Sequence, residues 1–262
     1  MDVTAAADEL LDMRRTRRIE PDLPDELRPA DLATAYAVQD LVVAGLLEAA
    51  PDGAPPVGYK CACTSPIAQE ALRIDRPVFG RLLAHTTSPS GATLDATHFV
   101  LRVIEAEFGF RVGRDVEPVD GGHTHDTIAE HIDAVIPAIE IVDYRYESWA
   151  LGALQVAADN AIHGWWIHGE PVTDWRGLDL GVAGVIVERN GERVTEGSGS
   201  NVLGHPLTVM AWLADELLQY GRQLRAGDVV TTGVTTDVFE AEAGDHVCAT
   251  FDGVGSVELR FE

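Results

Sequence analysis

The sequence predicts an α+β protein in which a helical N-terminal segment precedes a body dominated by strands. Apolar side chains recur at helical spacing over residues 4–18 and 29–50. Farther along the chain, the pattern changes to short runs rich in Val, Ile and Phe, separated by turn residues. Residues 51–58, which are dense in Pro and Gly, lie between the two patterns. We therefore expect a helical N-terminal segment at 1–57 and a second domain at 58–262.

The two N-terminal helices carry recognisable end and core signals. Thr4 can cap the first helix, and its basic final turn suits the negative end of a helix dipole. In the second helix, the positions expected to be buried include Leu32, Tyr36, Leu41 and Leu46.

The second domain alternates strands with a few helices. Asn190-Gly191 is a strong two-residue turn signal, so residues 182–197 are expected to form a hairpin. Pro206 near the first turn and Gly221 at the end mark another helix. The remaining expected helices cover 126–136 and a segment beginning at residue 153, and the remaining expected strands cover 99–112, 137–143, 227–234 and 246–261.

Composition excludes several classes of function. The formal net charge of −24 argues against nucleic acid and against anionic membrane surfaces as partners, because both bind clustered cations. Three cysteines without paired spacing predict neither a disulfide framework nor a zinc site. No apolar run is long enough to cross a membrane, and the N-terminus has the reverse of a secretory charge pattern. We expect a cytoplasmic protein.

Three glutamates stand in strand-like surroundings. Glu105 and Glu107 lie two residues apart in the expected strand 99–112, so both point to the face opposite its apolar side chains. Glu140 lies between two isoleucines in the next expected strand. These glutamates can face water, or they can share a cavity, where a carboxylate needs a partner. Three carboxylates on two strands suit a hard divalent cation such as Mg²⁺ or Mn²⁺.

Eight sequence motifs occur one after another over nearly the whole chain. They resemble those of the 2-oxopent-4-enoate hydratase and 4-oxalocrotonate decarboxylase family, within the fumarylacetoacetate hydrolase superfamily. The motifs are GYKCACTS, IDRPVFGRLL, EAEFGFRVGRD, PAIEIVD, VAADNAIHG, GSGSNVLGHPLTVMAWLADEL, LRAGDVVTTG and GSVELRF.

The resemblance implies a fold, a cofactor and a set of roles. It implies a mixed β-roll or barrel-like body, usually assembled into homo-oligomers. It also implies Mg²⁺ or Mn²⁺ held by Glu105, Glu107 and Glu140, with substrates that are 2-oxo or 2-hydroxydienoic acids from aromatic-ring breakdown. Lys60, the only lysine in the chain, matches the family's G-[YH]-K motif and is the expected proton carrier.

Three positions bear on the substrate. Val78 stands where hydratases of this family commonly have an aspartate that handles water, and this change favours decarboxylation. The family's D-N-A-S-S motif becomes D-N-A-I-H here, so His163 is expected either to carry protons or to form a hydrogen-bonded pocket wall. Thr235 can donate to the substrate carboxylate or satisfy its hydroxyl locally.

The sequence thus predicts a metal-dependent lyase that acts on a small 2-oxo acid. The first expectation is a reaction like that of 2-keto-4-pentenoate hydratase. A 4-oxalocrotonate-type decarboxylase is the main alternative. A tautomerase, an oxaloacetate decarboxylase-like enzyme or a non-catalytic relative comes third, although loss of a metal glutamate or of the lysine would be expected in a non-catalytic relative, and neither is lost.

Overall fold

The computed structural model describes residues 1–50, 53–148 and 152–262. Within these ranges the chain forms six α-helices and thirteen β-strands. The helices are α1 (Val3–Thr16), α2 (Leu32–Glu48), α3 (Pro66–Leu72), α4 (His125–Ala129), α5 (Ala153–Ala158) and α6 (Pro206–Gln219). The strands are β1 (Pro56–Ala62), β2 (Val78–Leu83), β3 (Thr87–Pro89), β4 (Ala92–Leu94), β5 (Val103–Val112), β6 (Ile132–Val142), β7 (His163–His168), β8 (Gly184–Arg189), β9 (Glu192–Ser198), β10 (Val229–Val234), β11 (Phe239–Glu240), β12 (His246–Phe251) and β13 (Gly255–Phe261).

The N-terminal segment is helical, as predicted, but two of its details differ. Asp2, and not Thr4, caps α1, because its carboxylate accepts hydrogen bonds from two backbone N–H groups of the first turn. Leu41 is 40% exposed. The buried stripe of α2 instead includes Ala35, Val38 and Val42, one helical turn apart.

The predicted helix over 126–136 is wrong for most of its length. Helix α4 ends at Ala129, and β6 begins at Ile132, where it pairs with Val112 of β5. The β-branched residues of this stretch favour an extended, packed strand over a short helix. The predicted loop at 51–58 lies partly outside the described residues, and strand β1 already begins at Pro56. The Asn190-Gly191 hairpin is confirmed, with φ values of 57° and 81° at the two turn residues.

The strands form two sheets of different character. The larger mixed sheet has eight strands in the order β2-β1-β10-β5-β6-β7-β3, with β11 beside β5, and it curls into a half-barrel. The smaller sheet has the order β4-β13-β12-β8-β9. This architecture agrees with the predicted helical segment followed by a mixed, barrel-like body.

The centre of the large sheet lies inside the protein. Every residue of β6 except Asp133 is buried, and β5 is buried along most of its length. The N-terminal helices share this core, since the Gln39 amide of α2 donates to the carbonyls of Phe79 and Ala157. The division of the chain at residue 58 stays a prediction. Among the described helices, none is sufficiently long and apolar to traverse a bilayer.

Candidate metal centre and active site

The glutamates meet because β5 and β6 are neighbours in register. Glu105 and Glu140 are direct antiparallel partners, and Glu107 lies two residues farther along β5 on the same face. One carboxylate oxygen from each residue lies within 4.8 Å of the other two. The structure therefore brings the three predicted ligands together.

These carboxylates lie in an environment that destabilises their charged form. Glu107 and Glu140 are fully buried, whereas Glu105 is only partly covered and lines a cavity. Burial raises the pKa of Glu105 and of Glu107 to about 8, and that of Glu140 to about 7. Without a cation, the cluster would therefore hold protons at neutral pH.

Lys60 enters the same cluster from β1. Its Nζ lies 3.1 Å from Oε2 of Glu140 and donates to the carbonyl of Ala161 at 3.2 Å. Burial lowers the pKa of Lys60, but the charges of the three glutamates outweigh this effect, so the pKa lies above its ordinary value. In the metal-free site, the charged carboxylates therefore favour the ammonium form of Lys60.

The donor set fits a divalent cation. Three carboxylates and one ammonium leave two negative charges uncompensated in a buried site, and Mg²⁺ or Mn²⁺ would neutralise them. Oε1 of Glu107 is buried and receives no hydrogen bond from any described residue. The carboxylate oxygens of the three glutamates lie within 4.8 Å of one another, so they need a proton or a cation between them. Glu105, Glu107 and Glu140 are the residues that would hold the ion.

Two further groups orient Glu107 and were not predicted from the sequence. Oε2 of Glu107 accepts hydrogen bonds from the Thr231 hydroxyl and, at 2.8 Å, from the N–H of Gly233. The register of β10 against β5 shifts between Thr231 and Val234, and this irregularity aims the N–H at the carboxylate. Gly233 has φ +103°, and a Cβ there would meet Thr64 at 1.7 Å, so this position requires glycine. The repeated threonines in TTGVTT were a signal, but the sequence did not indicate which one faces the glutamate.

His163 supports the third carboxylate. Its Nδ1 lies 3.0 Å from Oε1 of Glu140, and its Nε2 lies 3.2 Å from the hydroxyl of Thr86. Burial, followed by the charges of Lys60 and Arg14, lowers the pKa of His163 well below its ordinary value. Burial and these two hydrogen-bonding partners favour a neutral imidazole that supports Glu140, and the choice between the two predicted roles of His163 stays a prediction.

A cavity of about 260 Å³ opens beside Lys60 and Glu105. Most of its wall is apolar, and helix α3, which the sequence did not predict, contributes part of this wall. Lys60 is the one cation among the described residues that line it. The apolar lining comes from Ala62, Ala68, Ala71, Leu72, Val142, Val156, Ile162 and Val234.

The other residues predicted to contact substrate are not among the residues that line this cavity. Val78 is completely buried in the core, pairs with Ala62 across β1 and β2, and does not line the cavity. The Thr235 hydroxyl donates to the carbonyl of Ala106 at 2.7 Å, so its hydrogen bond is satisfied locally. Contact of Val78, Thr235 or His163 with substrate stays a prediction.

The chain is similar in sequence to known proteins. The model of the fumarylacetoacetate hydrolase C-terminal family matches residues 64–262. A 2-keto-4-pentenoate hydratase of Paraburkholderia xenovorans (strain LB400) is 33% identical over 250 residues, which cover 95% of this chain and 91% of the relative. A 4-oxalocrotonate decarboxylase of Pseudomonas putida is 35% identical over 205 residues, which cover 78% of this chain and 77% of the relative.

A solved structure agrees with both the fold and the type of cofactor. The 4-oxalocrotonate decarboxylase from Pseudomonas putida G7, complexed with magnesium and adipate, superimposes with a TM-score of 0.91 at 31% identity. The match covers 99% of this chain and 97% of the decarboxylase. The family model and these full-length similarities establish that this chain belongs to the fumarylacetoacetate hydrolase C-terminal family.

Proposed function

We propose that the protein is a divalent-metal-dependent lyase that acts on a small 2-oxo or 2-hydroxydienoic acid, most similar in reaction to 2-keto-4-pentenoate hydratase. The observation that carries the proposal is the convergence of two fully buried carboxylates, one partly covered carboxylate and a buried lysine beside an apolar cavity. The similarity to hydratases over 95% of the chain supports the same reading.

Each residue of the cluster has a distinct role in this proposal. Glu105, Glu107 and Glu140 hold Mg²⁺ or Mn²⁺, which when bound polarises the 2-oxygen of the acid and favours its enolate. Lys60, whose Nζ lies 3.1 Å from Glu140, delivers a proton to the distal carbon of the dienol, which gives a conjugated ketone. The 2-hydroxyl loses its own proton as the 2-oxo group forms, and water then adds across the remaining carbon–carbon double bond, with its hydroxyl bonded to C4 and its hydrogen to C3. The apolar wall excludes bulk water from the reacting carbons.

The lining of the cavity favours a substrate with one carboxylate. With the polar end of a 2-oxo acid toward the three glutamates that would hold the ion, a short hydrocarbon tail would face the apolar wall. A dicarboxylic substrate such as 4-oxalocrotonate would bring a second anion to a wall whose one described cation is Lys60.

Decarboxylation remains the second candidate. Val78 supplies no group that can orient water, and the decarboxylase relative is 35% identical to this chain. Carbon dioxide loss would leave a dienolate that Lys60 can protonate, so the same cluster would serve. We further propose, from the resemblance, a cytoplasmic homo-oligomer that takes part in the breakdown of aromatic compounds.

Two substrates separate the candidate reactions. Purified protein with Mg²⁺ would be supplied with 2-hydroxypenta-2,4-dienoate and, separately, with 4-oxalocrotonate, while ultraviolet absorbance and carbon dioxide release are followed. A hydratase consumes the first substrate and releases no gas from the second. Calorimetry of Mg²⁺ and Mn²⁺ binding, with Glu105→Gln as control, tests the metal. Failure of the wild type to bind either ion at saturating concentration would refute the lyase proposal.

A further inference from the structure

Three consecutive residues beside the site have an unusual backbone. Asn160, Ala161 and Ile162 all lie in the left-handed region, with φ values of 50°, 50° and 53°, and all three are buried. None is glycine, and Ile162 is β-branched, so the conformation is unfavourable by itself. Such backbone persists only where surrounding contacts impose it. We call residues 160–162 the left-handed turn.

The left-handed turn places groups of the active site at its middle and at its end. The carbonyl of Ala161 accepts the hydrogen bond from Nζ of Lys60. Ile162 lines the cavity. The next residue, His163, contacts Glu140 through Nδ1. A change in this turn would therefore move the partner of the ammonium, one wall of the cavity and the support of one carboxylate together.

One side chain from the N-terminal segment joins the two ends of the turn. The Arg14 guanidinium donates through Nη2 to the carbonyl of Asp159 at 2.8 Å and through Nη1 to the carbonyl of His163 at 3.2 Å. These carbonyls flank the left-handed turn on either side. Nε of Arg14 also contacts the Asp159 carboxylate at 2.5 Å. The side chain of Arg14 is only 12% exposed.

Charge pairing alone does not account for Arg14. The Asp159 carboxylate already has a buried partner, because Nη2 of Arg145 lies 3.0 Å from its second oxygen. Arg145 also pairs with Asp143, whose other oxygen accepts from two backbone N–H groups. Arg14 is distinguished by its planar fork, which reaches two carbonyls at once.

We propose that Arg14 is a positioning residue of the active site, which holds the left-handed turn so that Ala161 and His163 keep Lys60 and Glu140 in place. The inference rests on the proposed roles of Lys60 and Glu140. It also gives helix α1, which lies outside the segment matched by the family model, an indirect part in the chemistry, through the left-handed turn.

The test compares Arg14→Gln and Arg14→Lys with Arg15→Gln. Arg15 is the neighbouring arginine, is 75% exposed and pairs only with Asp12 among the described residues, so it is the matched control. For Arg14→Gln we expect kcat for 2-hydroxypenta-2,4-dienoate to fall about 10- to 100-fold and Mg²⁺ affinity, measured by calorimetry, about 10-fold. KM should change less than kcat. Arg15→Gln should match wild type in all three quantities.

Arg14→Lys separates positioning from charge. A lysine can keep an ion pair with Asp159, but its ammonium cannot span both carbonyls, so the loss of kcat should resemble that of Arg14→Gln. Added ethylguanidine should restore part of the activity of Arg14→Ala. Wild-type kcat and Mg²⁺ affinity in Arg14→Lys would overturn the inference, and so would a lowered thermal midpoint in Arg14→Gln with unchanged kcat and metal affinity. Failure of the proposed function would appear separately, as absent metal binding in wild type.

Discussion

Strands β5 and β13 both carry charged side chains two residues apart, but the two sheets place them in opposite environments. In β13, Glu258 and Arg260 alternate with buried apolar residues and lie in solvent. In β5, Glu105 and Glu107 show the same spacing, yet Glu107 is fully buried and Glu105 faces the cavity. A spacing of two determines only that neighbouring charges share a face.

The difference between the strands comes from what covers each face. The small sheet is buried on one face, so its polar face is hydrated and its charges need no special partner. The large sheet is covered on both faces at β5 and β6, so the same pattern collects carboxylates that water cannot solvate. Glu105, Glu107 and Glu140 are the residues that would hold a cation there.

The largest effect is expected at Lys60. Replacing it by methionine keeps a similar volume but removes the proton donor, so kcat for 2-hydroxypenta-2,4-dienoate should fall about 10²- to 10⁴-fold. Steady-state kinetics would measure this loss at saturating Mg²⁺. Arg260→Gln removes a cation from the exposed face of β13 and should leave kcat within about twofold of wild type, as expected of surface substitutions. A Lys60→Met variant with nearly normal kcat would remove Lys60 from the mechanism.

The next largest effect concerns the metal itself. Glu107→Gln should weaken Mg²⁺ binding by at least about 100-fold, since even the partners that merely orient metal ligands contribute 10- to 100-fold. Glu258→Gln makes the same chemical change in β13, where the carboxylate is half exposed beside His246, and should leave affinity unchanged. Titration calorimetry of both variants gives the comparison. Equal affinities would mean that the buried cluster is not the metal centre.

A smaller effect should appear in the pH dependence of stability. The glutamates of the cluster have pKa values of about 7 to 8 in the folded protein, above the ordinary value of 4.5. Between these values the folded state binds more protons than the unfolded state, so without metal their contribution to the free energy of unfolding falls as pH rises. The slope is about 1.4 kcal/mol per pH unit for each extra proton.

Metal binding should reverse this trend, because the ion binds the deprotonated carboxylates. Mg²⁺ should therefore raise the thermal midpoint more at pH 8.5 than at pH 6, as scanning calorimetry can measure. Glu107→Gln should lose this difference, whereas Glu258→Gln should keep it. An equal Mg²⁺ effect at both pH values in wild type would show that the ion does not compete with protons for these carboxylates.

The sequence was sufficient to predict features that depend on local periodicity and turn residues. Alternation placed Glu105 and Glu107 on one face, and the Asn190-Gly191 turn predicted its hairpin. The sequence-based prediction failed at Leu41, because tertiary packing decides which side of a helix is buried. Leu41 lies on the exposed side of α2 although its residue type favours burial.

The groups that support the site were harder to predict for the same reason. The choice of Thr231, and not Thr235, depends on an irregularity in the register of β10 against β5, which no local pattern encodes. The contacts of Arg14 depend on a left-handed turn about 145 residues away along the chain. Long-range geometry of this kind requires the assembled fold.

The smallest effect is expected at Thr231. It is the most direct test of a group that supports a proposed metal ligand. Thr231→Val keeps the shape of the side chain but removes the hydroxyl that donates to Glu107, so Mg²⁺ affinity should fall about 10-fold. The N–H of Gly233 would still hold the same oxygen, which limits the loss. Thr250→Val makes the same change on the exposed side of β12 and should alter nothing. If both variants bound Mg²⁺ as tightly as wild type, the Thr231 hydroxyl would be one more satisfied strand hydroxyl, and the orientation of Glu107 would depend on the backbone of β10 alone.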